Sequence, residues 1–289
     1  MKSNKLNVYN ILGGEWIYYK IYIGTKQADD LLKKQIFELA KKLLSNKTID
    51  SWFFIRYNDP SFHIRIRFKL YNESDLFEIV SEMYNVLNPL VRDFSIWKVQ
   101  LDTYNREIER YGKETMELSE KIFFYDSMMV LDFLNRFKDE NLRWLFSLKA
   151  IDSFLDIFEY SIEEKILLMQ FLAAAFKKEY EVSQTFNTSL NNKYRLVRAE
   201  ITEFMESNED SSLIDILDKK AEMIQVNHPN FIIFLKNNLE IDLKEFLSSH
   251  IHMTMNRIFR SKNRDHEMIC YDFLSRYYKS KIAITKYKN

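Results

Sequence analysis

The sequence predicts an α+β fold, with a small mixed β-sheet in the N-terminal part packed with helices and a largely helical C-terminal part after it. Three observations point there. The first hundred or so residues alternate between β-branched or aromatic runs and apolar patterns of helical spacing. Beyond them the helical period takes over. Only four glycines and three prolines occur in 289 residues, too few for the tight turns of an all-β protein. The 46% hydrophobic and 15% aromatic content fills a substantial core, so residues 1–289 are taken as a single domain with an α/β part over about 1–110 and a helical part over about 111–289.

In chain order, "WIYYKIYIGTK" (16–26) reads as a strand closed by Gly24. "QADDLLKKQIFELAKKLLSN" (27–46) carries Leu31, Leu32, Ile36, Leu39, Ala40 and Leu43 on one helical face. "DSWFFIRY" and "FHIRIRFKL" are two strands joined by the turn "NDPS", where Pro60 fixes φ and Asn58 or Asp59 satisfies the turn backbone. "ESDLFEIVSEMYNVLNPL" is a second helix and "FSIWKVQLDTY" a further strand. Long amphipathic stretches follow over about 113–180 and 212–284, and "SIEE" at 161–164 has the form of a capping box. The polar segment "EVSQTFNTSLNNK" (181–193) is expected to be a long loop between the two helical groups.

Charge and cysteine content exclude several functions. Lys plus Arg equals Asp plus Glu at 42 each, so no bulk positive field holds a nucleic acid. The single cysteine, Cys270, excludes an internal disulfide and any cysteine-based metal cage, fits a reducing, cytoplasmic setting, and is expected to be a packing residue. The start lacks the apolar run of a secretory signal, and no stretch is long and apolar enough for a membrane span.

Three clusters carry chemistry. In "RYNDPSFHIRIRF" (56–68), His63, Arg65 and Arg67 alternate with apolar residues, which puts the imidazole and both guanidiniums on one face of a strand, about 6 to 7 Å apart. Taken alone, such a face also suits the solvated side of a sheet. The choice of Arg in a lysine-rich chain favours bidentate gripping of carboxylates. In "LDTYNREIERYG" (101–112), a helical run from Tyr104 would bring Glu107 and Arg110 together at i and i+3, with Gly112 available to end it. In "SSHIHMTMNRIF" (248–259), His252 and Asn256 share a helical face while Met253 and Met255 fill core. His250 and His252 at i and i+2 are badly spaced for chelation, and His228 and His266 add no ligand pattern, so no metal is expected.

In this order, "WFFIRYNDPSFHIRIRF", "LDTYNREIERYG" with "EKIFFYDS", and "HMTMNRIF" resemble the glutamate-elimination domain of class I lanthipeptide dehydratases, also called the thiopeptide-type bacteriocin biosynthesis family. The resemblance runs from about Trp16 to the last helix. It implies an enzyme, a lyase without cofactor, that expels glutamate from O-glutamylated Ser or Thr of a ribosomally made precursor peptide to leave dehydroalanine or dehydrobutyrine. By the same resemblance the catalytic residues are Arg65, Arg67, Arg110 and His252, supported by Glu107; His63 and Asn256, from their places on the strand and helix faces, are expected with Glu107 to bind substrate or support those residues. Two positions depart from the family pattern: Lys113 stands where a second glycine usually follows "RYG", and Arg260 where glycine commonly follows "NRLF". Both bear on local loop geometry.

The expected partners are the precursor peptide with its leader and core, and a separate glutamylating dehydratase subunit; the aromatic content suits a homodimer interface. tRNA belongs to the glutamylation half-reaction, so no direct nucleic-acid contact is expected. Two other readings compete. One is the family's pyridine-forming [4+2] cycloaddition of two dehydroalanines. The other is a non-catalytic peptide-binding partner of the glutamylating subunit.

Overall fold

A computed structural model describes residues 6–180, 183–207 and 211–288. The chain divides into two compact units, Met1–Arg136 with Met223–Ser261, and Phe137–Glu222 with Lys262–Asn289. The chain therefore leaves the first unit near residue 136 and re-enters it near 223, so the division does not follow a cut at about 110.

The first unit holds β1 (Tyr9–Asn10), β2 (Trp16–Ile23), α1 (Thr25–Leu31), which continues through a π-helical turn at Leu32–Ile36 into α2 (Phe37–Ser45), β3 (Ile49–Asn58), β4 (Phe62–Leu70), α3 (Leu76–Arg92), β5 (Ile96–Leu101), β6 (Tyr104–Asn105), α4 (Ile108–Tyr111) and α5 (Met116–Arg136). The main sheet has the order β3-β4-β2-β5, and every pairing in it is antiparallel. The expected mixed sheet is thus corrected. Two β-helix-β crossovers bring back strands that point the same way, but β4 lies between β2 and β3, so the parallel strands never pair. A second ribbon pairs β1 with β6.

Both faces of the main sheet are covered. Ile64, Ile66 and Phe68 are fully buried on one side with Trp52 and Phe54. Phe53, on the other side, packs its ring 5.3 Å from Phe123 of α5. The side chains of His63 and Arg67 are buried, which rules out the solvated-face reading of the period-two pattern.

The remaining helices are α6 (Glu140–Ile157), α7 (Ile162–Glu179), α8 (Gln184–Glu206), α9 (Ser211–Asn227), α10 (Phe231–Asn238), α11 (Leu243–Ile258) and α12 (Asn263–Lys288). The capping box at Ser161 and Glu164 forms as expected and opens α7. The long loop expected over 181–193 is instead mostly helix: Ser183 caps α8 by accepting from the Phe186 N–H, and Leu190 is buried; 181–182 lie outside the described residues. Its polar residues lie on the exposed side of an amphipathic helix, a surface easily read as a loop. In the second unit α7 packs on α12, where Phe176 meets Tyr271 at 5.8 Å and Lys177 pairs with Asp272 at 3.0 Å. Cys270 is buried there 3.3 Å from Ser147 Oγ, and burial pushes its thiol up to about 12, the behaviour of a packing residue.

Candidate functional site

The strand register assembles the site. His63 stands opposite Tyr22 and Tyr57, Arg65 opposite Lys20 and Ile55, and Arg67 opposite Tyr18 and Phe53. Arg67 is 7% exposed. Its guanidinium lies 4.2 Å from the Tyr18 ring centre, 4.6 Å from Tyr104 and 5.2 Å from Phe53. Its Nε is sealed and makes no hydrogen bond. Arg65 lies 3.4 Å over the Tyr57 ring and donates from Nε to His63 Nε2 at 3.1 Å. No carboxylate among the described residues pairs with either arginine. Each is held by π faces, which attract a cation without neutralising it. Burial draws the Arg67 pKa below its ordinary value, yet a guanidinium keeps its charge.

His63 is held between Ser61 and Arg65. Its Nδ1 sits 2.9 Å from the Ser61 carbonyl, so Nδ1 carries the proton and Nε2 accepts from Arg65. Burial lowers its pKa, with the Ser61 hydrogen bond opposing and the Arg65 charge assisting.

The second cluster behaves differently from the helix expected from Tyr104. Tyr104 and Asn105 are strand, and α4 begins only at Ile108 with Glu107 as its cap residue. Glu107 and Arg110 do pair, at 3.1 Å, but both are exposed, at 61% and 57%. Their fields reach inward. Glu107 acts on Arg67, and both Glu107 and Arg110 act on the buried Tyr111, whose pKa rises mainly through burial. Gly112 ends α4 at φ +72 and ψ 148, a region essentially reserved for glycine. Neither departure from the family pattern occupies such a position: Lys113 and Arg260 are absent from the positive-φ residues. Lys113 donates its backbone N–H to Glu240, and Arg260 pairs with the buried Asp29 at 2.5 Å.

On α11, Asn256 binds backbone with both ends of its amide: Oδ1 accepts from the Arg56 N–H at 2.8 Å and Nδ2 donates to the Arg56 carbonyl at 2.7 Å. This fastens the helix to the free edge of β3. His252 lies one turn earlier and is half-buried, whereas His250 is core, packed against Tyr111, Phe123 and Phe246. A cleft of about 470 Å³ opens beside the Lys69 end of β4, lined by Ser51, Glu117, Lys121, His228 and Phe231 among others. None of the sequence-expected residues lines it.

Sequence reasoning missed the residues that hold the arginines. Tyr18, Tyr57 and Tyr104 form their aromatic seats. Arg257 and Asp126, both fully buried, pair at 3.0 Å, and Arg257 lies near enough for Arg67 to act on it. Arg106, in the same motif as Glu107, is the buried arginine of that segment and is gripped by both oxygens of Glu120, at 2.7 and 2.9 Å. The period-two run Trp16, Tyr18, Lys20, Tyr22 was the available signal, but it needed the register to connect it with Arg67.

The antiparallel sheet carries Arg65 and Arg67 on its inner face, and α11, which bears His252, is fastened to its β3 edge. Residues 16–278 match the family described as Lantibiotic biosynthesis dehydratase C-term, and the chain belongs to that family. It is 28% identical over 274 residues to the nisin biosynthesis protein NisB of Lactococcus lactis subsp. lactis, covering 92% of this chain and 26% of that protein. It is 24% identical over 251 residues to the subtilin biosynthesis protein SpaB of Bacillus subtilis, covering 85% and 24%. The chain thus spans about a quarter of the curated relatives it matches. The tRNA-dependent lantibiotic dehydratase MibB from Microbispora sp. 107891 shares the fold at a TM-score of 0.68 and 19% identity, over 91% of this chain and 28% of that one. The pyridine synthase TbtD from thiomuracin biosynthesis does so at 0.58 and 9%, over 92% and 99%. Among the described residues, no helix is long and apolar enough to cross a membrane, and no cluster of His, Cys, Asp and Glu is arranged to hold a metal.

Proposed function

We propose that this chain expels glutamate from O-glutamylated Ser or Thr of a precursor peptide. One observation carries the reading: two arginines share a buried sheet face, seated on aromatic rings, with no carboxylate partner among the described residues. Desolvating a guanidinium without a counter-charge is costly, so such a pair is suited to an anion brought by a ligand. The chemistry supplies two anions, the glutamyl carboxylate and the charge that develops on the peptide carbonyl as the Cα proton leaves. His252 takes that proton; the electron pair becomes the Cα=Cβ bond, and the Cβ–O bond breaks with glutamate leaving as a carboxylate. An imidazole, whose ring nitrogen can accept a proton, suits this duty. Glu107 holds Arg110 at the rim, where Arg110 meets the departing carboxylate. The glutamylated peptide comes from a separate glutamylating activity.

Incubating the purified protein with a glutamylated precursor should release one glutamate per modified residue, seen by mass spectrometry as a dehydrated peptide. A peptide rich in dehydroalanine that turns instead into a macrocycle plus free leader would establish the pyridine-forming reading, which the TbtD-like fold keeps in view. Elimination is preferred because a cycloaddition has no glutamate for Arg65 and Arg110 to hold. If the chain only delivered peptide, His252→Ala would leave dehydration intact.

A further inference from the structure

The cation row on the inner sheet face has a neutral member that no motif singled out. Tyr18 stands directly across the ladder from Arg67 and is 4% exposed. Its hydroxyl is buried and has no hydrogen-bond partner. Across the ladder, Arg67 Nε is likewise buried without a partner. Each unsatisfied donor is a net cost to folding, since each gave up water without replacement, and the Arg67 guanidinium lies over the Tyr18 ring, 4.2 Å from its centre. Elsewhere in this unit a buried phenol is satisfied: Tyr104 donates to Glu120 at 2.9 Å. The charges of Arg67, Arg65 and Lys20 act to lower the Tyr18 pKa, while that of Asp102 acts to raise it. Burial outweighs those cations and keeps the phenol protonated, hence a donor.

We propose that the Tyr18 hydroxyl and the Arg67 guanidinium together bind the oxygen of the substrate carbonyl adjacent to Cα as it gains charge, making Tyr18 a catalytic residue. The inference rests on the elimination reading and adds a donor to it. During the step the Tyr18 proton stays on its oxygen. The Cα proton passes to His252, the electron pair enters the new double bond, and glutamate departs with the Cβ–O bonding pair. Because the hydrogen bond strengthens only as charge develops, its loss acts on the chemical step more than on binding. Arg65, less enclosed than Arg67, is left for the glutamyl carboxylate.

Tyr18→Phe is the direct test, for it keeps the ring under Arg67 and removes only the hydroxyl. On a glutamylated peptide, kcat should fall about 100-fold or more, as for other lost oxyanion donors, with KM changed less than about 2-fold. The melting temperature should be unchanged or higher, because a buried unpartnered hydroxyl has been deleted. 3-Fluorotyrosine at position 18 retains the donor and should keep kcat within about 3-fold of wild type. A Tyr18→Phe protein that matches wild-type kcat overturns this inference and leaves elimination standing, as does a fluorotyrosine protein as slow as the Phe variant. A wild-type protein that releases no glutamate sinks the elimination reading and this inference with it.

Discussion

At the scale of single residues, Arg67 carries its charge into a nearly dry setting where three aromatic rings stand in place of a carboxylate. A planar guanidinium stacks there, whereas an ammonium is strongly hydrated and lacks the fork. Arg67→Lys should therefore lower the elimination rate by about 100-fold or more in a single-turnover assay, although charge is conserved. His63 offers a second expectation. Its folded pKa lies below the unfolded value of about 6.5, so the stability it contributes is complete above that value and is lost as pH falls through the lowered folded one. Urea melts should show the advantage of wild type over His63→Gln shrinking below about pH 6.5, because a protonated Nε2 would face the Arg65 guanidinium. An advantage constant through that window would contradict the assigned tautomer. Arg65, Arg67 and His63 were legible because period-two alternation survives in a strand of any surroundings. Tyr18 was not, because its relation to Arg67 is a hydrogen-bonded register across 49 positions of sequence.

At the scale of elements, the outer edge of β3 is closed by side chains instead of a further strand. Phe54 N–H donates to Ser127 Oγ of α5, and Asn256 of α11 takes both backbone groups of Arg56. An unpaired edge invites foreign strands, and here two helices cover it. Asn256→Ala strips partners from a buried N–H and carbonyl and should cost about 2 to 6 kcal/mol in denaturant unfolding, at roughly 1 to 3 for each unsatisfied group. Its effect on rate should follow from a displaced α11 and hence a displaced His252. Asn256, placed among the substrate contacts from its helical face, has its amide committed to this clamp. Gly112→Ala should cost about 1 to 3 kcal/mol from backbone strain, with the new Cβ 2.5 Å from Thr115 Oγ1 in the present geometry. The same substitution logic explains why Lys113 and Arg260 are tolerated: their backbones are ordinary, and Arg260 joins Arg56 on Asp29 in a buried charge cluster.

For the whole molecule, 42 basic and 42 acidic residues leave a net charge of zero and no extended positive field. Filter binding at physiological salt should detect no complex with bulk tRNA, since non-specific retention depends on phosphate neutralisation over an extended surface. Retention comparable to a tRNA-dependent enzyme would contradict that assignment. The α+β class, the helices and strands of the first hundred residues and the three motif clusters followed from the sequence alone, because hydrophobic period and turn chemistry are local properties. Only the tertiary structure decided that the sheet is antiparallel, that 184–193 is helix, that the arginine face is covered, and that Tyr18 and Arg67 stand opposite each other, each with a buried unsatisfied donor. Those facts depend on which strands become neighbours and which helices fold back over them, and such long-range pairings leave no periodic trace in the chain.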